Sequence, residues 1–300
     1  MEKMKIVYVQ SSGQIELAEV DRPVPKKGEA LLKIKYCGIC GSDVLTYTGK
    51  HFFASYPRVP GHEFSAEIVQ IEKNDLGFER GMIVSANPYF NCGKCYPCRN
   101  GKVNCCEHNE TMGVQRDGAF AQYITMPIER IRDGKGLSPK KLALVEPFSI
   151  GYHAVQRGGI KAGNSVLIMG AGPIGLFAML AAKIFGANVY VADLLDKRLE
   201  FASGLGADGI INIKDQRIKD QVLDITNGNG MDVCIEASGN PKAFLECIEQ
   251  VCFGGKIILI GNGVLETTFN HSVLLKKELT VYGSRNSLSI FNKLINDSTA

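Results

Sequence analysis

Residues 165–175, SVLIMGAGPIG, decide the fold of the second half of this 300-residue chain. A short apolar run of the kind that forms a buried strand leads directly into the pattern G-x-G-x-x-G, and an apolar helical stretch follows. Gly170 allows the tight turn, Gly172 lets the backbone approach a pyrophosphate, and Gly175 lets the helix pack closely on the strand. The start of that helix offers unpaired amides to the phosphates. The residues predicted to bind a dinucleotide here are Gly170, Gly172, Pro173, Ile174 and Gly175.

The next predicted strand, VYVAD, ends in Asp193 and supports this interpretation. A carboxylate at this place accepts hydrogen bonds from the ribose hydroxyls and repels a 2′-phosphate, so it favours NAD over NADP. Arg198 follows soon after, and an arginine in this region can accommodate the phosphate of NADP. We therefore expect Asp193 and Arg198 to contribute to the cofactor site, with NAD as the expected cofactor and NADP as the less favoured one.

The two halves of the chain differ in their pattern of apolar residues. Before residue 150, short β-type runs such as KIVYVQ and SAEIVQI alternate with Gly and Pro, which predicts a β-rich domain with long loops. From residue 165, near-continuous apolar strands alternate with helical stretches such as IGLFAMLAAKIFG, which is typical of a parallel sheet covered on both faces. The predicted class is α/β, with one domain at residues 1–152 and a second at residues 153–300.

The composition argues against several classes of protein. The 34 basic and 31 acidic residues are interspersed and leave a net charge of +3, which offers no electrostatic basis for a nucleic-acid or membrane partner. Residues 166–182 carry no charge, but their glycines and proline interrupt the continuous helix that a membrane span needs. The start, MEKMKIVYVQ, lacks the apolar core of a secretion signal, so we expect a cytoplasmic protein with reduced cysteines.

Five of the ten cysteines lie within residues 91–106, NCGKCYPCRNGKVNCC. Four of them have the spacing C-x2-C-x2-C-x7-C, and four thiolates on one short loop can close a tetrahedron around a structural zinc. Cys105 is the spare, because a tetrahedral site cannot use both neighbours. A redox C-x-x-C pair and a nucleic-acid-binding knuckle are the alternatives, and the loop context favours zinc over both. The four predicted ligands are Cys92, Cys95, Cys98 and Cys106.

A second set of metal-binding side chains is scattered over three stretches. GICGSD contains Cys40, PGHEF contains His62 and Glu63, and VEPFSIGYHA contains Glu146. One thiolate, one imidazole and one or two carboxylates suit a catalytic zinc, which keeps a position open for water or substrate. A cysteine in a buried strand, a hydrogen-bonded histidine and a surface glutamate are each commoner than metal ligands, so spacing alone leaves both interpretations open.

Taken in order, these motifs resemble one family. GICGSD, GHEF, the four-cysteine loop, GAGPIG and VEPFSIGYHA follow one another as in the zinc-dependent medium-chain dehydrogenases, the superfamily of alcohol, sorbitol and threonine dehydrogenases. The similarity is nearest to the polyol and sugar-acid branch and runs from about residue 5 to residue 286. It implies a GroES-like β-rich catalytic domain with two zinc sites, followed by a doubly wound Rossmann domain that binds NAD.

The resemblance also implies roles for the scattered residues. Cys40, His62 and Glu63 correspond to ligands of a catalytic zinc, and Glu146 to a carboxylate that binds this zinc directly or holds its water. The ethanol-type branch has a cysteine at that position, so Glu146 points to polyols or sugar acids. Ser42 occupies the position that contacts the substrate hydroxyl and begins removal of its proton. The expected reaction transfers a hydride between NAD and a secondary alcohol, with zinc as the Lewis acid.

Two features depart from the family pattern. Many relatives have a histidine three residues after this serine, whereas this chain has Leu45, which cannot transfer a proton. His51 or a water held by Glu146 are the candidates to replace it. The chain also ends at SIFNKLINDSTA, which suggests a shortened C-terminus. These departures keep a catalytically impaired, NAD-binding regulatory or structural protein as an alternative, beside an L-threonine-type dehydrogenase.

The expected partners follow from the same resemblance. We expect a small-molecule alcohol as substrate, and neither a nucleic acid nor a membrane as partner. The segment ELTVYGS, residues 278–284, resembles the edge strand through which the family forms dimers. We therefore expect a homodimer or a homotetramer.

Overall fold

The structure, a computed structural model, describes residues 2–215, 218–263, 265–288 and 290–297. The chain forms two compact units, Met1–Glu146 with Leu288–Ala300, and Pro147–Ser287. The sequence places the boundary after residue 152, whereas the units divide within the helix Val145–Gly158. A helix that runs through the division leaves no linker composition for a sequence-based boundary to use.

The first unit is rich in β-structure, as its short apolar runs predict. Its strands are β1 (Lys3–Ser11), β2 (Gln14–Asp21), β3 (Glu29–Gly38), β4 (Glu63–Gln70), β5 (Ile83–Ala86), β6 (Tyr89–Phe90), β7 (Glu110–Thr111), β8 (Tyr123–Pro127) and β9 (Ile131–Asp133). Its short helices are α1 (Gly41–Tyr47), α2 (Tyr96–Arg99) and α3 (Pro139–Leu142), with 3-10 turns at Val103–Cys105 and Ile128–Arg130.

An antiparallel five-stranded sheet, in the order β8-β3-β4-β5-β9, organises this unit. Alternate side chains of β8 are buried, among them Ile124 and Met126, and they join Phe64 and Ile68 of β4 in one apolar core. The pairing of β3 with β4 sets Gly38 opposite Glu63. The segment that follows β3 therefore lies next to the start of β4. The candidate metal ligands occur in these two places.

The second unit contains a six-stranded parallel sheet in the order β12-β11-β10-β13-β14-β15. Its strands are β10 (Ser165–Met169), β11 (Asn188–Asp193), β12 (Gly209–Asn212), β13 (Met231–Glu236), β14 (Val251–Leu259) and β15 (Thr280–Gly283). Its helices are α4 (Val145–Gly158), α5 (Pro173–Ile184), α6 (Asp196–Gly204), α7 (Ile218–Ile225), α8 (Pro241–Gln250) and α9 (Ser272–Lys277), with a 3-10 turn at Ile213–Asp215; α10 (Phe291–Asp297) follows and groups with the first unit.

This strand order confirms the predicted α/β class with a doubly wound sheet beside a β-rich domain. The order reverses between β10 and β13, and the ligand crevice of such sheets lies at the carboxyl ends of the strands at that point. The four residues from Val166 to Met169 are buried because helices cover both faces of a parallel sheet. The uncharged stretch 166–182 therefore resolves into β10, a turn and α5. Over the described residues, no helix is long and apolar enough to cross a membrane.

Candidate active site

Three side chains from separate stretches come together in the first unit. Cys40 precedes α1 as its N-cap, and His62 and Glu63 stand where β4 begins. One ligand atom from each of the three lies within 4.8 Å of the other two. Gly38 makes room for the carboxylate, because a Cβ added there would stand 2.3 Å from Glu63 Oε2. The structure thus assembles the thiol, imidazole and carboxylate that the sequence places in GIC and GHE.

The electrostatics of this group suit a bound cation. Burial lowers the pKa of His62, but the neighbouring Cys40, Glu146 and Asp43 outweigh burial and raise that pKa to about 10. Burial also raises the pKa of Glu63. His62 is 6% exposed, and its Nδ1 has no hydrogen-bond partner among the described residues. A buried set of sulfur, nitrogen and oxygen donors with an unpartnered imidazole nitrogen fits a catalytic zinc.

Asp43, which the sequence analysis did not select, supports the same group. Its Oδ2 accepts a hydrogen bond from the backbone N–H of Cys40 at 2.8 Å, and its Oδ1 accepts one from the N–H of Gly61 at 3.1 Å. The same Oδ1 lies 4.0 Å from Nδ1 of His62. This buried carboxylate therefore ties the segment of Cys40 to the segment of His62. The available signal was its spacing, three residues after an N-cap, where acceptors for the cap N–H are common.

Glu146 is buried and lies close enough to the three-residue group for the charges of His62 and Glu63 to act on it. Burial raises its pKa to about 7, and the nearby His62 opposes that rise. Its Oε1 accepts a hydrogen bond from the hydroxyl of Tyr89. Tyr89 is a second residue that sequence reasoning missed, and no local pattern marks it. The carboxylate of Glu146 is therefore held by Tyr89 close to the donor group that could bind a metal.

The candidate proton-transfer residues surround the start of α1. Ser42 Oγ is buried and has no hydrogen-bond partner in the part of the chain that the structure describes, which leaves its hydroxyl available to a substrate. Leu45, one turn later in α1, has no group that can transfer a proton. His51 is partly buried, and its Nδ1 accepts a hydrogen bond from the N–H of Phe53 at 3.2 Å. Burial and the charge of His62 lower the pKa of His51, with Asp43 opposing them.

The four-cysteine loop forms a second donor cluster in the same unit. The sulfurs of Cys92, Cys95, Cys98 and Cys106 all lie within 4.8 Å of one another. Cys95 Sγ and Cys106 Sγ are 3.8 Å apart, well beyond the length of a disulfide bond, which is about 2.05 Å. Cys105 is exposed and lies outside the cluster. The arrangement is that of a closed four-sulfur site with no position left for substrate.

The surroundings of this cluster shift the pKa values of two of its thiols in opposite directions. Hydrogen bonds from the N–H groups of Lys94 and Cys95 lower the pKa of Cys92 to about 6, which favours the thiolate. Burial and the neighbouring Cys95 and Cys106 raise the pKa of Cys98 to about 12. Four thiols this close cannot all ionise without a compensating charge, so the cluster fits a zinc ion.

The glycine-rich turn in the second unit has the shape that a pyrophosphate requires. Gly170 has a φ of +109°, and Gly172 is the N-cap of α5. A Cβ on Gly175 would lie 1.9 Å from the carbonyl oxygen of Gly170, so only glycine permits this contact between helix and turn. Pro173 and Ile174 occupy the first two positions of α5, whose N-terminus carries free amides and a positive dipole end.

Asp193 ends β11 and joins the turn to the next strand. Its Oδ2 accepts a hydrogen bond from the N–H of Ala171 at 2.8 Å, and its Oδ1 accepts one from the N–H of Leu195 at 3.0 Å. Arg198 Nη1 lies 3.6 Å from Asp193 Oδ2. The carboxylate therefore braces the glycine turn, and each oxygen keeps a further lone pair for a ribose hydroxyl. All the predicted cofactor residues thus lie at the carboxyl ends of β10 and β11 or in the turns and helices that follow these strands.

Two family models match the chain in the places that the geometry suggests. The alcohol dehydrogenase GroES-like domain matches residues 26–133, which include Cys40, His62, Glu63 and the four-cysteine loop. The zinc-binding dehydrogenase model matches residues 173–297, which begin at the first residue of α5.

Curated relatives are similar along nearly the whole chain. L-galactonate-5-dehydrogenase of Escherichia coli strain K12 is 37% identical over 287 residues, covering 96% of this chain and 84% of the relative. L-threonine 3-dehydrogenase of Pyrococcus horikoshii is 39% identical over 290 residues, covering 94% of this chain and 83% of the relative. Both donor clusters and the glycine turn fall in the shared region.

Solved structures share the fold. A zinc-binding dehydrogenase of Sinorhizobium meliloti 1021 bound to NADP superposes with a TM-score of 0.92 at 28% identity, covering 100% of this chain and 89% of that one. A short chain alcohol dehydrogenase of Escherichia coli CFT073 complexed with NADH gives a TM-score of 0.89 at 32% identity, covering 98% and 87%. With its two donor clusters, its glycine turn and relatives of this similarity, the chain belongs to the zinc-binding, GroES-like alcohol dehydrogenase family and is a zinc-dependent oxidoreductase that uses a nicotinamide cofactor.

Proposed function

We propose that this protein oxidises a secondary hydroxyl of a polyol or a sugar-derived acid with NAD. The observation that carries the proposal is the buried carboxylate of Glu146 beside Cys40, His62 and Glu63. The family resemblance associates a glutamate at this position with polyols and sugar acids, where the ethanol-type branch has a cysteine. The relatives named sorbitol dehydrogenase, 36% identical over 291 residues in Bacillus subtilis, and L-galactonate-5-dehydrogenase support the same substrate class.

In this proposal Cys40, His62 and Glu63 hold the catalytic zinc, and Glu146 either completes its coordination or holds its water. Zinc bound there supplies Lewis acidity that lowers the pKa of an alcohol hydroxyl. The buried carboxylate of Asp43 keeps the segments of Cys40 and His62 in register. The four sulfurs of the cysteine loop hold a structural zinc and take no part in the reaction.

The proposed proton path begins at Ser42. Its buried Oγ has no partner among the residues described and so can accept the hydrogen bond of a substrate hydroxyl and pass the proton onward. Leu45 cannot continue the path. His51 is a poor continuation, because its Nδ1 already accepts the N–H of Phe53. A water held by Glu146 is therefore the favoured route to solvent.

NAD is the proposed cofactor, and the nicotinamide ring accepts the hydride when it is bound. Asp193 places a negative charge at the ribose end of the crevice, which disfavours the 2′-phosphate of NADP. Arg198 lies beside that carboxylate as an ion pair, which makes it less available to a phosphate.

A substrate screen tests the proposal. Zinc-replete protein is given NAD with a panel of polyols, aldonates and L-threonine, and formation of NADH is followed by absorbance. We expect turnover of at least one polyol or aldonate, and we expect Cys40→Ser to lower it by several kcal/mol of transition-state stabilisation, roughly a thousandfold. Absence of turnover with any alcohol, together with tight NADH binding, would instead favour the impaired, regulatory alternative that Leu45 suggests.

L-threonine 3-dehydrogenase activity is the second candidate, because a relative of that name is 39% identical along 94% of this chain. The same screen separates the two functions. A preference for L-threonine over every polyol and aldonate would replace the first proposal with the second, without changing the assignment of zinc or cofactor.

Oligomeric state and location stay predictions. A homodimer or homotetramer is supported by the position of β15 at one edge of the described parallel sheet, which leaves one side of this strand free to pair. Light scattering on the purified protein tests the number of subunits. Cell fractionation tests the predicted cytoplasmic location.

A further inference from the structure

Tyr89 makes a contact with the candidate active site that no sequence motif announces. It is the first residue of β6 and is 8% exposed, and its hydroxyl donates a hydrogen bond to Oε1 of Glu146. Glu146 itself is 3% exposed and stands at the second position of α4. In a site this dry, the direction of a carboxylate depends on the few protein groups that hydrogen-bond to it.

The backbone of Tyr89 is held from several sides. Its N–H donates to Asn87 Oδ1 at 3.0 Å, and its carbonyl accepts a hydrogen bond from Arg130 Nη1 at 2.5 Å. It pairs with Thr111 of β7 in an antiparallel ribbon. The Tyr89 hydroxyl therefore donates to Glu146 from a strand whose backbone is held in place.

The next residue reinforces this anchor. The ring of Phe90 has the guanidinium of Arg116 at 3.9 Å and that of Arg130 at 4.2 Å from its centroid. Arg130 thus contacts both residues of β6, one through the carbonyl of Tyr89 and one through the ring of Phe90. Two cation–π contacts and the ribbon hydrogen bonds leave Tyr89 little freedom to move away from Glu146.

We propose that Tyr89 is a positioning residue that fixes the Glu146 carboxylate in the orientation that the catalytic metal site uses. The hydrogen bond from the Tyr89 hydroxyl to Oε1 restricts rotation of the carboxylate. His62 and Glu63 lie close enough for their charges to act on Glu146, so the restrained carboxylate is in range of the donor group. The inference rests on the proposed role of Glu146 at the zinc.

Tyr89→Phe tests this role because it removes the hydroxyl and keeps the ring in place. Release of zinc is followed by the absorbance change of a chelator that binds it. The wild type should release two zincs per chain in two kinetic phases. We expect the variant to release the zinc of the Cys40 site roughly 10–100-fold faster, because an orienting partner of a metal ligand is lost. The zinc of the four-cysteine loop should leave at the wild-type rate. Tyr96→Phe, at an exposed tyrosine in the four-cysteine loop, is the matched control and should change neither phase.

A double-mutant cycle separates positioning from general loosening. In a Glu146→Ala background, which has no acceptor for the Tyr89 hydroxyl, Tyr89→Phe should no longer accelerate zinc release, because the two side chains act through one contact. Unchanged release in Tyr89→Phe, or equal acceleration of both zincs, would overturn the positioning role alone. A wild type that binds one zinc per chain would overturn the proposed catalytic zinc, and this inference with it.

Discussion

At the scale of single residues, Asp193 combines two tasks. Its carboxylate accepts the N–H of Ala171 inside the glycine turn and the N–H of Leu195 at the start of the next segment. In the proposed cofactor site, the same charge is expected to face the ribose of NAD. A sequence pattern indicates only the second task, because the first depends on how the turn folds back over the end of β11.

We expect Asp193→Ser to shift cofactor preference towards NADP. Loss of a charged hydrogen-bond acceptor costs about 1.5–3 kcal/mol, so kcat/KM with NAD should fall roughly 10–100-fold. The value with NADP should fall less or rise, because the repulsion of the 2′-phosphate is gone. Steady-state kinetics with both cofactors measures the ratio.

The ratio of kcat/KM with NAD to kcat/KM with NADP distinguishes a change in cofactor specificity from damage to the glycine turn. Glu200→Ser, which removes an exposed carboxylate from the neighbouring helix α6, is the control and should leave both values unchanged. Equal losses with NAD and NADP in Asp193→Ser would mean that the carboxylate only braces the backbone.

At the scale of elements, the four-cysteine loop is tied to the active-site carboxylate through a short ribbon. The loop leaves β6 after Phe90 and returns at Glu110 in β7, and these two strands pair with each other. Tyr89, which hydrogen-bonds Glu146, is part of that ribbon. We therefore expect a metal bound in the loop to hold together the two strands of the ribbon that includes Tyr89.

We expect Cys95→Ser to open the structural site and lower stability. Structural zinc sites contribute apparent binding free energies of about 10–16 kcal/mol, part of which stabilises the fold. A net loss of about 3 kcal/mol would lower the melting temperature by roughly 5–10 °C in a domain of this size. Thermal unfolding and zinc counting on the same samples measure the effect.

Cys105→Ser is the control in the same loop, since Cys105 is exposed and outside the cluster. It should keep two zincs and the wild-type melting temperature. Equal behaviour of the two serine variants would contradict the assignment of the four ligands.

At the scale of the whole molecule, the two ligand sets lie in different units. The donor groups around Cys40 and in the cysteine loop belong to Met1–Glu146, and the glycine turn and Asp193 belong to Pro147–Ser287. Each set is built from contacts inside its own unit, so each can form without the other.

We expect Cys40→Ser to lower turnover roughly a thousandfold while NADH binding stays within about twofold of wild type, because each ligand set is built from contacts inside its own unit and independent sites act additively to within about 0.3–0.5 kcal/mol. Fluorescence titration with NADH measures the binding. A loss of NADH affinity of more than tenfold would show instead that the metal site and the cofactor turn depend on each other.

Much of this architecture could be predicted before any coordinates. The run from Ser165 to Gly175 predicts strand, turn and helix because its apolar period and glycines are local properties. Tyr89 escaped prediction because its partner Glu146 lies 57 residues away, and the local spacing of Asp43 after Cys40 could not show its second contact, 18 residues away at Gly61. The division inside α4 also left no local trace.

The sequence by itself determined the class of each half, the cysteine cluster and the dinucleotide turn, since each is encoded in one continuous stretch. Family resemblance, and not spacing, selected Cys40, His62, Glu63 and Glu146 from among many similar residues. Only the tertiary structure decided which carboxylates support them. The pairing of β3 with β4 and the contact of Tyr89 with Glu146 bring these side chains together, because a buried polar group takes its partners from whatever the fold packs against it.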